Sequence, residues 1–128
     1  MSPQSIHTKH APAALGPYSQ AVATESLLFT SMQIALDPDS GELSGTTAAD
    51  QARRCLDNIG AILEAGGASF GAVVKATVYL TDLAHFASVN EVYAEFFTGE
   101  LPARSVVLVA ALPKGALVAI EAIASLSQ

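Results

Sequence analysis

The segment Ala116 to Leu126 predicts a strand that is apolar on both of its faces, and this constrains the fold more than any other feature. A strand of this kind must be covered on both sides. Because the chain has 128 residues and predicts only two helices, we expect another subunit to cover one side of its sheet. The two faces consist of Val118, Ile120, Ala122 and Ala124 on one side, and of Leu117, Ala119, Glu121 and Ile123 on the other.

Hydrophobic periodicity and turn signals divide the chain into strands and helices of a single domain, residues 1–128. Thr47 with Asp50 predicts the N-cap of a first helix, which Gly66-Gly67 ends. A second helix has an apolar stripe of core type and ends at Gly99. This order predicts an α+β domain with two helices on one face of the sheet. The stripe is Phe86, Val89, Tyr93, Phe96 and Phe97, and the predicted strands are Leu27–Leu36, Val73–Leu80, Ser105–Leu112 and Ala116–Leu126.

The last two predicted strands are joined by Pro113-Lys114-Gly115, a short turn with a glycine available for positive φ. A two-residue hairpin loop here would pair Leu108 with Glu121. Arg104 would then lie on the same face as Glu121, roughly 13 to 14 Å away. This register predicts two long side chains that enclose a small molecule, and a slip by one residue would put them on opposite faces.

Charged side chains are scarce in the last part of the chain. From Pro102 to Gln128 only Arg104, Lys114 and Glu121 are charged, and Arg104 and Glu121 stand in apolar runs. A buried charge is costly unless it is paired or hydrogen-bonded, so two explanations are open. Either Arg104 and Glu121 form an internal ion pair, or Arg104 binds an anion while Glu121 acts on a proton or a water molecule.

Composition narrows the classes of partner. Hydrophobic residues make up 51% of the chain and charged residues only 14%, which indicates that part of the surface is an oligomer interface. The net charge is -6 and the six basic residues are scattered along the chain. Because a nucleic-acid surface needs clustered basic residues, the sequence argues against nucleic acid as a main partner.

Cysteine and histidine usage gives no sign of a disulfide or a metal site. Cys55 is the single cysteine and falls on a helical apolar pattern, while His7, His10 and His85 show no ligand spacing. No apolar run approaches the length of a membrane span, and Met1 to His10 lacks an apolar signal core. The sequence therefore predicts a soluble cytoplasmic protein without a metal.

Five segments of the chain carry a family resemblance: residues 11–21 (APAALGPYSQA), 51–65, 74–83 (VKATVYLTDL), 102–105 (PARS) and 120–124 (IEAIA). Together they resemble the RidA/YjgF family of enamine and imine deaminases, which is also known as endoribonuclease L-PSP. The resemblance runs nearly the full length of the chain. It implies a chorismate-mutase-like fold and a homotrimer, in which the sheets line a central barrel and three sites lie between subunits.

The resemblance also implies roles for five residues. Arg104 matches the arginine that binds the substrate carboxylate, and Glu121 matches the glutamate associated with the hydrolytic water. Tyr18, Ser31 and Asn90 match other pocket residues, with Tyr18 grouped among the catalytic residues. The implied reaction converts a 2-aminoacrylate-type enamine or imine to a 2-oxo acid and ammonia without a cofactor.

Three departures from the family pattern put the choice of substrate in question. Both Val106 and Met32 match substrate-binding positions. Val106 stands where cysteine is common, so any role of that thiol is absent. Met32 stands beside Ser31 where glycine is usual, and its added volume is expected to narrow or reshape the pocket. The loop Thr98 to Leu101 is shorter than in familiar deaminases. A non-catalytic module that binds small carboxylates is the alternative function. A ribonuclease or translation inhibitor is a third, against which the acidic balance of the chain argues.

Overall fold

The computed structural model describes residues 3–126, which form one mixed sheet and two helices. The bounds are β1 Gln4–Ile6, β2 Ala21–Ala23, β3 Leu27–Thr30, α1 Ala48–Ala65, β4 Val73–Leu80, α2 Phe86–Phe96, β5 Ala103–Leu108 and β6 Val118–Ser125. The six strands lie in the order β1-β2-β3-β6-β4-β5. Among these described strands β4 and β5 run parallel, whereas the other neighbours are antiparallel. The predicted α+β architecture is confirmed.

Helix α1 begins and ends where the sequence predicts. The Thr47 side chain accepts a hydrogen bond from the backbone N–H of Asp50 at 3.1 Å, which is an N-cap. The helix ends at Gly66, and Gly67 has a φ of 84°, in the left-handed region that favours glycine. The buried face of α1 packs on β6 and β3 and against α2.

Helix α1 also buries polar groups that its periodicity does not predict. Cys55 is fully buried, as expected, and burial raises the pKa of its thiol to about 12. Beside it, Gln51 accepts a hydrogen bond from the Leu117 N–H at 2.8 Å, and Asn58 donates one to the Leu36 carbonyl at 3.0 Å. These two amides hold the chain before β6 and after β3 against the helix, since buried backbone groups need partners.

The two faces of the sheet differ in cover. On β4, residues Ala76, Val78 and Leu80 are buried on the helix side, while Thr77 and Tyr79 on the opposite side are only half-buried. Strand β6 follows the same alternation from Ile120 onward, with Val118, Ile120, Ala122 and Ala124 on its buried face, whereas Ala119 on the opposite face is also buried. The second face of this sheet is therefore partly open in the single chain. A second subunit as its cover stays a prediction.

The predicted hairpin between the last two strands is wrong. Strand β5 pairs in parallel with β4, and β6 pairs with the other edge of β4, so β4 lies between them. The cause is helix α2, which carries the chain across the sheet and returns it parallel to β4 in a βαβ unit. The segment Pro113–Gly115 is instead a 3₁₀ turn, where Lys114 and Gly115 both take positive φ, 59° and 70°.

This topology moves Arg104 and Glu121 to different faces. Arg104 is paired with Ala76, whereas Glu121 is paired with Thr77, the next residue of β4. Successive residues of a strand point to opposite sides, so the predicted shared face for Arg104 and Glu121 is wrong.

Three predicted strands are shorter than expected, of which β6 spans Val118–Ser125 instead of Ala116–Leu126. Strand β3 stops at Thr30 instead of Leu36, and β5 stops at Leu108 instead of Leu112. Beyond Thr30 the chain returns to the sheet at one point, where Gln33 and Ile120 exchange two backbone hydrogen bonds of 2.8 and 3.0 Å. Ser31 and Met32 are thus set off from the regular ladder.

Neither helix in residues 3–126 is long and apolar enough to cross a membrane. The same stretch contains no cluster of three or more His, Cys, Asp or Glu side chains that could hold a metal ion.

Candidate active site

Arg104 lies at the start of β5 with its side chain directed along helix α2. Its Nη1 donates a hydrogen bond of 2.6 Å to Oδ1 of Asn90. Its guanidinium carbon lies 4.8 Å from the ring centroid of Tyr93 and 5.7 Å from that of Phe86. Arg104 is exposed in the single chain, which corrects the expectation of a buried charge. Its side chain makes no other hydrogen bond within residues 3–126, so several of its donors are available to an anion.

A cavity of about 470 Å³ opens beside this guanidinium. Asn90 and Arg104 supply its polar groups, while its other walls are largely apolar. One cation at the edge of an apolar cavity suits a small carboxylate that carries a short apolar part. The remaining lining residues are Tyr93, Ala94, Phe97, Leu101 and Pro102, of which Leu101 belongs to the loop that departs from the family pattern.

Tyr18, Ser31 and Met32 line a second cavity, of about 530 Å³. Tyr18 is 54% exposed and Met32 is 38% exposed, so both can be reached from solvent in the single chain. The Ser31 hydroxyl donates to the Ser19 carbonyl at 2.5 Å, which ties it to the segment that carries Tyr18. Lys114, from the 3₁₀ turn, is the cation of this cavity.

The segment before Tyr18 is held by Gln20, which sequence reasoning did not single out. This side chain is only 2% exposed. Its Nε2 donates to the carbonyls of Thr8 and Pro12 at 3.0 and 2.8 Å, and its Oε1 accepts from the Thr8 N–H at 2.7 Å. A longer contact of 3.3 Å reaches the Ala11 carbonyl. Because Gln20 satisfies buried backbone groups, it fixes an irregular segment that has no ladder of its own.

Glu121 lies in a third, smaller cavity of about 120 Å³ on the open face of the sheet. The Tyr79 hydroxyl donates to its Oε2 at 3.0 Å. Burial, and then the hydrogen bond to Glu121, raises the pKa of Tyr79 above its ordinary value. Lys75 lines the same cavity and donates to the Ser105 hydroxyl at 2.7 Å. Tyr79 and Lys75 were not predicted, because their partners depend on the strand register.

The predicted site residues therefore separate into three groups. Arg104 and Asn90 share one cavity, and Val106 lies on the same face two residues along β5, half-buried against the core. Tyr18, Ser31 and Met32 share another cavity, and Glu121 lies in neither. Asn90 thus lines the same cavity as Arg104.

Comparison with known proteins identifies the family. The model described as endoribonuclease L-PSP matches residues 8–126. A mouse (Mus musculus) protein named 2-iminobutanoate/2-iminopropanoate deaminase is 50% identical over 119 residues, which cover 93% of this chain and 88% of that protein. A RutC family protein of Pyrococcus horikoshii is 51% identical over 119 residues, covering 93% of this chain and 94% of its own.

Solved structures agree over the same length. E. coli TdcF with bound serine has a TM-score of 0.92 and 47% identity, covering 97% of this chain and 99% of TdcF. The YjgF gene product of E. coli has a TM-score of 0.91 and 48% identity, with 95% and 98% covered. These matches confirm the resemblance of the five sequence segments, and this chain belongs to the endoribonuclease L-PSP family, also called RidA/YjgF.

Proposed function

We propose that this protein is an imine deaminase that hydrolyses reactive 2-aminoacrylate-type intermediates to 2-oxo acids and ammonia. The observation that carries the proposal is the Arg104 guanidinium, held by Asn90 at 2.6 Å at the edge of a largely apolar cavity. The relatives at about 50% identity that are named 2-iminobutanoate/2-iminopropanoate deaminase support the same reaction class.

The first step in this proposal is binding of the substrate carboxylate by Arg104. A planar guanidinium matches both carboxylate oxygens, as the point charge of lysine does not. Asn90 occupies one Nη1 donor and fixes the orientation of the guanidinium, so the remaining donors face the ligand. Binding of the carboxylate by Arg104 holds the imine carbon in one place. Positioning of this kind alone accelerates a reaction that also proceeds in water.

The chemical steps need only proton transfers and one water. Protonation of the enamine carbon and loss of an N–H proton give the imine. Water adds across the C=N bond to form a carbinolamine, with one of its protons passing to nitrogen. Transfer of the carbinolamine hydroxyl proton to nitrogen then breaks the C–N bond, so that ammonia leaves and the C=O of the 2-oxo acid forms. We assign the orientation of the water to Glu121, which has one oxygen held by Tyr79, and a contact with the substrate to Tyr18.

We further propose that the working unit is a homotrimer with a chorismate-mutase-like central barrel, in which each site takes residues from two copies. The open face of the sheet supports this, because Thr77, Tyr79 and Glu121 are only half-buried in one chain. The separation of Arg104 from Glu121 across the sheet supports it as well. A cytoplasmic location stays part of the proposal.

A coupled assay tests the reaction. A dehydratase acting on serine generates 2-aminoacrylate, and 2-oxo acid formation is followed with and without this protein. We expect the wild type to release 2-oxo acid faster than the uncatalysed reaction does, and Arg104→Ala to give no acceleration. The matched control is Arg53→Ala, which removes an exposed arginine paired with Glu95 at 2.8 Å on the helical surface and should keep full activity.

Two outcomes would overturn the proposal. Thermal stabilisation by 2-oxo acids without any acceleration would indicate a binding module. RNA cleavage that copurifies with the protein and is lost in Arg104→Ala would indicate a nuclease.

A further inference from the structure

We propose that the ring of Tyr93 is a positioning residue for Arg104, holding the guanidinium for the substrate carboxylate. This inference rests on the proposed function and adds a residue that its chemistry does not name. Tyr93 does not contact the substrate in this proposal. It acts through Arg104, whose guanidinium carbon lies 4.8 Å from its ring centroid.

The spacing on helix α2 brings three contacts to one guanidinium. Phe86, Asn90 and Tyr93 follow each other at intervals of four and three residues, which places them on one stripe of the helix. Both rings lie within the distance of about 6 Å at which a ring face attracts a cation. Asn90 fixes one donor, while the rings restrict the plane of the guanidinium.

The Tyr93 ring is itself fixed. It stacks on Phe97 with 4.3 Å between centroids, and Tyr93 is only 7% exposed. Its hydroxyl is buried and has no hydrogen-bond partner within residues 3–126. Burial raises the pKa of Tyr93, so this hydroxyl stays neutral at working pH. Because the hydroxyl does nothing for Arg104 in this geometry, the ring carries the effect.

The test compares two variants of Tyr93. Tyr93→Phe keeps the ring and should leave KM within about twofold of wild type. Tyr93→Leu removes it and should raise KM by about 2- to 30-fold, with kcat changed far less, since an arginine that moves freely binds less well. Equal KM values for the two variants would overturn the proposal, whether both match the wild type or both are raised.

A structural control separates this effect from a weakened core. Phe70 packs edge-on against Phe96 and Phe97 but does not line the Arg104 cavity. Phe70→Leu should lower the Tm and leave KM unchanged. Phe86→Leu gives a second way to remove a ring from Arg104 at a site that is 39% exposed, and it should also raise KM. A rise in KM with Phe70→Leu equal to that with Tyr93→Leu would contradict the positioning role.

An NMR measurement keeps the inference distinct from the proposed function. The order parameter of the Arg104 Nε–Hε group should be high in the wild type and in Tyr93→Phe, and should fall in Tyr93→Leu. This holds even if the wild type shows no deaminase activity, which would overturn the proposed function alone. An order parameter unchanged by Tyr93→Leu would overturn the positioning role.

Discussion

Arg104 and Glu121 point to opposite faces of the sheet, although both flank strand β4. Arg104 is paired with Ala76, and Glu121 is paired with Thr77, the next residue along the strand. Arg104 then lies against helix α2, whereas Glu121 lies against Tyr79 on the open face. Within one chain the two side chains do not converge on one small ligand. We therefore expect a site that uses both to take them from two copies, as proposed above.

A substitution of Arg104 by lysine should distinguish the contribution of its charge to kcat/KM from that of its planar shape. Arg104→Lys keeps the charge but loses the planar fork and the Nη1 hydrogen bond to Asn90. We expect kcat/KM to fall by about 10- to 150-fold, the range for one lost hydrogen bond to a charged group. The Tm should stay within a degree or so, because the side chain is exposed. Wild-type kinetics in Arg104→Lys would show that the planar fork is not used.

Glu121→Gln tests the water-orienting role. The amide has nearly the same shape but is not a base, so kcat should fall about 100-fold while KM changes little. Circular dichroism and the oligomeric state should match those of the wild type. If kcat is instead unchanged, Glu121 belongs to the structure of the open face with Tyr79, and its catalytic assignment is wrong.

The Tyr79 hydroxyl should make the protein sensitive to alkali. Burial raises the pKa of Tyr79 in the folded state, so the unfolded chain loses this proton first as pH rises. The stabilising contribution is present below the ordinary tyrosine pKa of about 10 and is lost as pH rises through the folded pKa. Urea unfolding from pH 8 to 11 should show a steeper loss in the wild type than in Tyr79→Phe. Equal slopes would contradict the raised pKa.

Gln20 should be costly to remove, because its amide satisfies backbone groups of Thr8 and Pro12. We expect Gln20→Ala to lower the free energy of unfolding by about 2 to 4 kcal/mol, since several buried groups lose their partner. Urea unfolding measures this. Gln4→Ala, at an exposed strand position, serves as the control and should change stability by less than about 0.5 kcal/mol. If Gln20→Ala lowers the free energy of unfolding by as little as Gln4→Ala does, Gln20 does not hold the Tyr18 segment.

The elements set by local signals were predictable from the sequence. The bounds of helix α1 follow from the Thr47 cap and the Gly66-Gly67 stop, and β4 runs from Val73 to Leu80 as predicted. Strand pairing was not predictable from the turn alone. The Pro113–Gly115 turn favoured a hairpin, but the crossover through α2 places β5 beside β4, and pairing between distant segments overrides a local turn.

The candidate site was predictable in part, for the same reason. Arg104 belongs to the segment of residues 102–105, whereas Asn90 lies outside the five segments and was matched to a pocket residue by the resemblance; the structure brings the two within 2.6 Å. The contact of Tyr79 with Glu121 depends on the register between β4 and β6, which no local pattern specifies. Tyr93 has the spacing of a core residue and is buried, so its contact with Arg104 is visible only in the fold.

The measurement that tests the two-copy site most directly is complementation between variants. Arg104→Ala and Glu121→Gln chains are mixed 1:1 in mild denaturant, reassembled and assayed. If each site takes Arg104 from one copy and Glu121 from the next, about a quarter of the sites in a random trimer are intact, and activity should recover to that level. A 1:1 mixture of the wild type with the double variant serves as the control. Its activity should be about a quarter of the wild-type activity if each site uses two copies, and about half if each site lies within one copy. A mixture no more active than the mean of the two variants alone would contradict the two-copy site.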